Sequence, residues 1–285
     1  MDTATGVRST EVDHEHAHGY VHGYSQRESR RLGEQADVLA ELLHAGTAYP
    51  AGSRVLEAGC GVGAQTAHLA AHSPYAEITA VDRDAGSIEQ ARRRLAERAP
   101  GARITWRQAD LYALPFGRAE FDHVFVCFVL EHLGEPARVL AELRRVLRPG
   151  GTLTVIEGDH GSVCFHPDSA AARATVAGQA RLQADAGGDA MIGRRLGPLL
   201  ADAGYEDVAV APRTVYTDAT RPALAEGFTR NTFIAVMESV RDDAVAAGLA
   251  TPDGWDRGIA DLRRAAEEGG SFHYTYFKAT AVRGG

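Results

Sequence analysis

The segment VLEAGCGVGAQT, residues Val55 to Thr66, joins an apolar run to an acid, then to alternating glycines, then to a helix-compatible stretch. A strand that ends in Gly-x-Gly can bring its backbone against a ligand, because side chains there would block the approach. Read as G-x-G-x-x-G/A, Gly59, Gly61 and Ala64 satisfy the fingerprint of a dinucleotide-binding turn. The motif is short, and taken alone it leaves the ligand open.

Outward from this turn, the strand candidates RVLEAG (54–59), EITAVD (77–82), RITWRQAD (103–110), FDHVFVCF (121–128) and TLTVIEG (152–158) alternate with helical stretches at about 64–72, 85–98 and 135–147. Short apolar strands alternating with amphipathic helices predict βαβ units and a parallel sheet covered on both faces. LRPGG (147–151) reads as a helix stop and a tight turn into the fifth strand. Residues 166–186 and 193–203 read as helices, EDVAVAPRTVYT (206–217) as a sixth strand and SFHYTYFKATAVR (271–283) as a seventh. Residues 221–269 read as helical with a break near LATPDG, and an insertion of that length between two late strands predicts a lid over a pocket. The expected fold is α/β, a seven-stranded and mostly parallel sheet with a helical lid insertion. Its expected parts are an N-terminal tail and capping helix over residues 1–50, a ligand-binding core over 51–160, and the rest of the sheet over 161–285 with the lid at about 220–270.

Upstream, Ser25 and Glu28 form the S-x-x-E of a capping box, and Leu32, Ala36, Leu39 and Leu43 recur at helical spacing. His14, His16, His18 and His22 lack Cys or carboxylate partners at ligand spacing, so they read as a solvated tail and no metal is expected. A net charge of −8 argues against a nucleic-acid partner, because neutralising phosphates needs a basic face. Cys60, Cys127 and Cys164 fit no metal or disulfide spacing, which points to a reducing compartment. With no apolar signal core and no bilayer-length run, a cytoplasmic location without a membrane partner is expected.

The carboxylates choose the ligand. Glu57, just before the glycines, would repel a pyrophosphate but favours a cation. Asp82, at the end of the second strand, can hold a ribose diol through charge-assisted bonds. Asp110 ends the third strand, where it suits an adenine amino group, with Leu111 beside it to pack on the ring. Phe128 ends the fourth, at the crevice where open α/β sheets bind ligands. The ordered series E-x-G-x-G-x-G, V-D, A-D-x-x-x-L-P-F, E-H-L and L-R-P-G-G resembles the class I S-adenosylmethionine-dependent methyltransferases, closely over about residues 52–160 and loosely in the late strands.

That resemblance implies a Rossmann-like methyltransferase sheet with S-adenosylmethionine as cofactor and S-adenosylhomocysteine as its product. It assigns Gly59 and Gly61 to the methionine portion and Glu57 to orienting the cofactor. It further assigns Asp82 to the ribose, Arg83 to the flank of the adenine and Asp110 to the adenine amine. A nicotinamide-dependent oxidoreductase competes on the glycine turn and Asp82. A non-catalytic S-adenosylmethionine-binding regulator competes from outside the enzymes, since binding and catalysis use different residues.

For the acceptor, the place where nucleic-acid base methyltransferases carry N/D-P-P-Y/F reads Val126-Cys127-Phe128-Val129, which weakens that reading further. A small-molecule substrate is expected, in a pocket built from the N-terminal segment, the region after strand five and the insertion. Tyr20 and Tyr24 precede the first helix, and EGDHGSVCFHP places Glu157, Asp159, His160 and His166 at the carboxyl end of strand five. His160 is the candidate catalytic base, titrating near neutral pH. Arg194 is the candidate for orienting an acidic group, and Asn231, Thr232 and Phe233 on the lid suit a small polar heterocycle. On the last strand, alternation puts Phe272, Tyr274 and Tyr276 on one face, with Tyr274 the candidate for the pocket. The stretches HGYSQRESRRLGEQA, EGDHGS, IGRRLGPLL, GFTRNTF and YTYFKA are similar to bacterial natural-product methyltransferases that act on C3 of an indole in tryptophan-containing cyclodipeptides. That likeness implies C3 methylation with closure to a pyrroloindoline, the alternative being O- or N-methylation of a phenolic or amine metabolite.

Overall fold

Seven strands form one sheet in the order β3-β2-β1-β4-β5-β7-β6. The computed structural model describes residues 26–285, with side chains from residue 31 onward, so Tyr20, Tyr24, Ser25 and the histidine-rich stretch lie outside the described residues. Helix α1 (Gln26–His44) leads into β1 (Arg54–Ala58), α2 (Ala64–His72), β2 (Glu77–Asp82), α3 (Ala85–Arg98), β3 (Arg103–Gln108) and β4 (Phe121–Cys127). A 3₁₀ turn at Leu130–His132, α4 (Pro136–Val146), β5 (Leu147–His166), α5 (Ala170–Asp185), α6 (Leu196–Asp202) and β6 (Tyr205–Asp218) follow. Between β6 and β7 (Ser271–Arg283) lies the insertion: α7 (Pro222–Leu224), a π-helical segment Ala225–Ile234, α8 (Ala235–Ser239), α9 (Arg241–Ala246) and α10 (Pro252–Arg264). The strands from β3 to β5 pair in parallel, and β7 runs antiparallel between β5 and β6.

Alternation along the strands divides the core into two layers. Val55, Ile78, Phe125 and Ile156 face one layer together with Leu39, Leu43, Trp255 and Tyr276. Leu56, Val124, Val126, Leu153 and Val155 face the other, packing on Leu140 and Leu143 of α4 and Leu196 and Leu200 of α6. Chain order reverses between β1 and β4, which opens a crevice at the carboxyl ends of these two strands. The glycine turn after β1 and Phe128 after β4 both sit at that crevice.

Strand β5 departs from the expected TLTVIEG. It begins at Leu147, within the predicted turn, and runs on to His166. The polar Asp159–His166 stretch has no apolar alternation of its own. Its far end is held by β7, where Cys164, Phe165 and His166 pair with His273, Phe272 and Ser271 across an irregularity after Asp159.

Helix α1, which carries Leu32 and Gln35 over the crevice, is tied down by a buried cation. Lys278 of β7 is 6% exposed, and its Nζ donates to the carbonyls of Leu43 and Ala45 and to Thr47 Oγ1. Burial lowers its pKa to about 8. These bonds satisfy carbonyls that the end of a helix leaves open. Lys278→Met removes all three donors and is expected to cost about 1–3 kcal/mol, read as a lower denaturant midpoint.

Candidate active site

The turn after β1 is shaped by its glycines. Gly59 has φ +79° and a Cβ there would meet Val129 Cγ2 at 2.6 Å, so only glycine lets the turn close against the segment after β4. The N–H of Gly61 donates to Asp82 Oδ2 at 2.8 Å, and that of Asp84 donates to Asp82 Oδ1 at 2.9 Å, which fixes the carboxylate at the end of β2. Glu57 is 3% exposed, and its Oε2 has no hydrogen-bond partner among the described residues. Burial, with the Asp82 charge adding to it, pushes the Glu57 carboxyl up to about 8. Burial raises that of Asp82 as well, against its two backbone donors. Together these groups line a cavity of about 210 Å³ that runs from Leu32 and Gln35 of α1 past the glycine turn to Asp110, Leu111 and Tyr112.

A second, smaller chamber of about 80 Å³ adjoins it, and the two share Leu32, Gln35, Phe128 and His132. Phe128 has φ +56°, a left-handed conformation that side chains rarely adopt and that tends to mark functional sites. Its segment is held from below by Glu157, whose carboxylate accepts from the N–H groups of Val129, Leu130 and Glu131. Glu157 is fully buried, and that burial lifts its pKa well above the usual range. The chamber walls are aromatic. His160 lies 5.7 Å, centroid to centroid, from both Phe233 and Tyr274, and Phe228 lies 5.6 Å from Tyr274. Burial lowers the pKa of His160, against the opposing charge of Glu131. The Tyr274 hydroxyl reaches the backbone at Gly158, where a Cβ would overlap it.

Residues 56–155 match the family described as a methyltransferase domain. Demethylmenaquinone methyltransferase of Clavibacter sepedonicus is 40% identical over 107 residues, which is 38% of this chain and 42% of that protein. The methyltransferase GfsG of Streptomyces halstedii is 31% identical over 126 residues, 44% of this chain and 45% of that one. A solved structure of Haemonchus contortus phosphoethanolamine N-methyltransferase 2, with phosphomonomethylethanolamine and S-adenosylhomocysteine, shares the fold at a TM-score of 0.53 and 17% identity, over 87% of this chain and 53% of that one. Within the chain, residues 56–155 carry a methyltransferase domain of the class I S-adenosylmethionine-dependent type. The chain spans less than half the length of each of these two curated relatives.

The methyltransferase domain fits its cofactor on a specific observation: the buried Glu57 Oε2 is an unmet acceptor in the cradle, and S-adenosylmethionine brings a cationic amino group. Glu57, Gly59, Gly61, Asp82, Arg83, Asp110, Leu111 and Phe128 all line the larger cavity. His160, Thr232, Phe233 and Tyr274 all line the smaller one. Two residues expected at the acceptor do not. Asn231 is exposed, because the π-helical turn that buries Thr232 and Phe233 rotates it outward. Arg194 is held outside the chamber by a bidentate pair with buried Asp159, at 2.8 and 2.7 Å. The Thr232 hydroxyl donates within its own helix, to the Gly227 carbonyl, at 2.9 Å.

Sequence reasoning missed Gln179 and Gln183 of α5, which stand behind His160. Both are buried on a helix that is otherwise rich in alanine, and a glutamine pair at i, i+4 on such a face was the available signal. No group of three or more His, Cys, Asp or Glu among the described residues is placed to hold a metal. No helix among them is long and apolar enough to cross a membrane.

Proposed function

We propose that the chain methylates a small aromatic natural product, with C3 of the indole in a tryptophan-containing cyclodipeptide as the acceptor atom. The observation that carries this reading is the aromatic chamber opening onto the cofactor cradle, with an imidazole in its wall. S-adenosylmethionine, when bound, supplies an electrophilic methyl group on a sulfonium. Glu57 would hold its amino group, Asp82 its ribose and Asp110 its adenine. The larger cavity suits a nucleoside joined to an amino acid, and the smaller one suits a single fused ring.

The protein's part in such a transfer is positioning and exclusion of water, because the methyl group arrives already activated. Phe228, Phe233 and Tyr274 offer ring faces and edges to a planar, electron-rich acceptor. Methylation at C3 leaves the indole cationic. The amide nitrogen of the cyclodipeptide then closes on C2, and His160 takes the proton that this nitrogen loses. None of these roles calls for a metal ligand or a covalent nucleophile.

An acceptor screen by mass spectrometry tests the reading, with tryptophan-containing cyclodipeptides set beside simple phenols and amines. The expected product is a cyclodipeptide heavier by one CH₂, a methyl group gained and a proton lost, that has lost the indole absorbance. Methylation of phenols or amines alone would sink the indole assignment and leave O- or N-methylation. Cofactor binding without turnover on any acceptor would favour a regulator.

A further inference from the structure

Gln179 and Gln183 are 0% and 1% exposed, and a buried amide is costly unless its donors and acceptors are matched. The matching here has a direction. Gln183 Nε2 donates to the backbone carbonyl of Glu131 at 2.9 Å, and because a carbonyl only accepts, this bond fixes which end of the Gln183 amide is which. Gln183 Oε1 therefore accepts from Gln179 Nε2 at 3.0 Å. That leaves Gln179 Oε1 against His160 Nδ1 at 2.7 Å, and an amide oxygen cannot donate. The hydrogen of the neutral imidazole sits on Nδ1, and Nε2 keeps its lone pair.

We infer that Gln183 and Gln179 are positioning residues that lock His160 in the Nδ1–H tautomer, so that Nε2 accepts a proton from a substrate bearing an ionisable N–H. The catalytic use of this lock rests on the proposed reaction, whereas its geometry does not. The relay begins at Glu131, in the turn that separates cradle from chamber, so the same backbone that lines the site also orients its base.

The groups around the ring are Glu131 and His132 from the 3₁₀ turn, Asp159 from β5, Gln179 from α5, Tyr274 from β7 and Phe233 from the π-helical segment, and the charged Arg31 of α1 lines the same chamber. Glu131 and Asp159 favour the charged ring, and burial together with His132 disfavours it. The balance lies below the ordinary histidine value, which keeps the ring neutral near pH 7 and makes the tautomer decisive.

The test is a long-range ¹H–¹⁵N spectrum of the full chain labelled in histidine, with His160 assigned by its loss in His160→Asn. The expected wild-type pattern is a protonated Nδ1 and a lone-pair Nε2. Gln179→Leu should release the ring to the other tautomer, and Gln183→Leu should do so in part. A wild-type ring protonated on Nε2, or a Gln179→Leu spectrum unchanged at His160, would overturn the inference. If Gln179→Leu does not fold, Gln179→Glu decides. A carboxylate in the same place keeps the proton on Nδ1 and raises the titration midpoint of His160 by about one pH unit or more, and an unmoved midpoint contradicts the lock. Because no acceptor is needed, a correct tautomer with no methyl transfer to any substrate would separate failure of the reaction from failure of the relay.

Discussion

His160→Ala is expected to lower turnover by about 10²–10⁴-fold, the range for removing a positioned general base, while leaving the affinity for S-adenosylhomocysteine unchanged. The separation follows from where the ring sits. His160 lines the aromatic chamber and is not among the residues of the cradle. Its ring contacts are to Phe233 and Tyr274, and its hydrogen bond is to Gln179. Burial holds its pKa below the ordinary 6.5, so wild-type activity should rise as pH increases through that depressed value and then level off. The variant should lose this limb of the profile. Turnover and binding, measured separately on the same preparation, check the expectation. Equal losses in both would show that the ring shapes the fold around the site and does not take a proton.

Glu57→Gln should move stability and binding in opposite directions. The wild-type carboxyl is raised from an ordinary 4.5 to about 8 by burial beneath the glycine turn. For an acid raised in this way, the favourable contribution is complete below the unfolded value of 4.5 and is lost as pH climbs to about 8. At pH 8 the cofactor-free protein therefore carries a penalty on the order of a few kcal/mol at this one residue. Glutamine has the same shape and no titration. Without cofactor, the variant should melt roughly 5–10 °C above wild type at pH 8, and the two should converge towards pH 4.5. The same change removes the anionic partner of a cationic amino group. Binding of S-adenosylmethionine should weaken by about 10–100-fold, the value of a hydrogen bond to a charged group. Calorimetry and a thermal series across pH read both effects. A variant that melts lower than wild type at pH 8, or binds as tightly, would place the cationic end of the cofactor elsewhere.

The cradle was legible in the sequence because its residues sit at strand ends. A period-two apolar run gives the position of a strand, its end gives the position of the next residue, and parallel strands in one sheet bring those ends together. Asp82 belongs to this class, and β2 (Glu77–Asp82) spans the residues that its alternation marks, whereas β3 (Arg103–Gln108) stops short of the expected strand and leaves Asp110 two residues beyond its end. The chamber is different. Its walls come from α1, the segment and 3₁₀ turn after β4, β5, α5, the π-helical segment, α8 and β7, and no local spacing reports which faces of so many separated elements converge.

Asn231 shows the limit within one element. Thr232 and Phe233 face inward beside it, and a π-turn of ten residues is too short to reveal its phase in the sequence. Arg194 shows the limit between elements, since its partner Asp159 lies 35 residues earlier. The extension of β5 was hidden for a third reason. Its hydrogen bonds are supplied by β7, so the polar stretch around Asp159 needs no apolar pattern to form a strand.

The division into a cofactor cradle and an adjoining acceptor chamber is tested most directly by a crystal structure with S-adenosylhomocysteine. The amino group should sit on Glu57, the ribose hydroxyls on Asp82 and the adenine between Asp110 and Leu111. The sulfur should lie at the mouth shared by Phe128 and His132. A ligand seated with its sulfur turned away from that mouth, or bound outside the glycine turn, would contradict the division and with it the role given to His160.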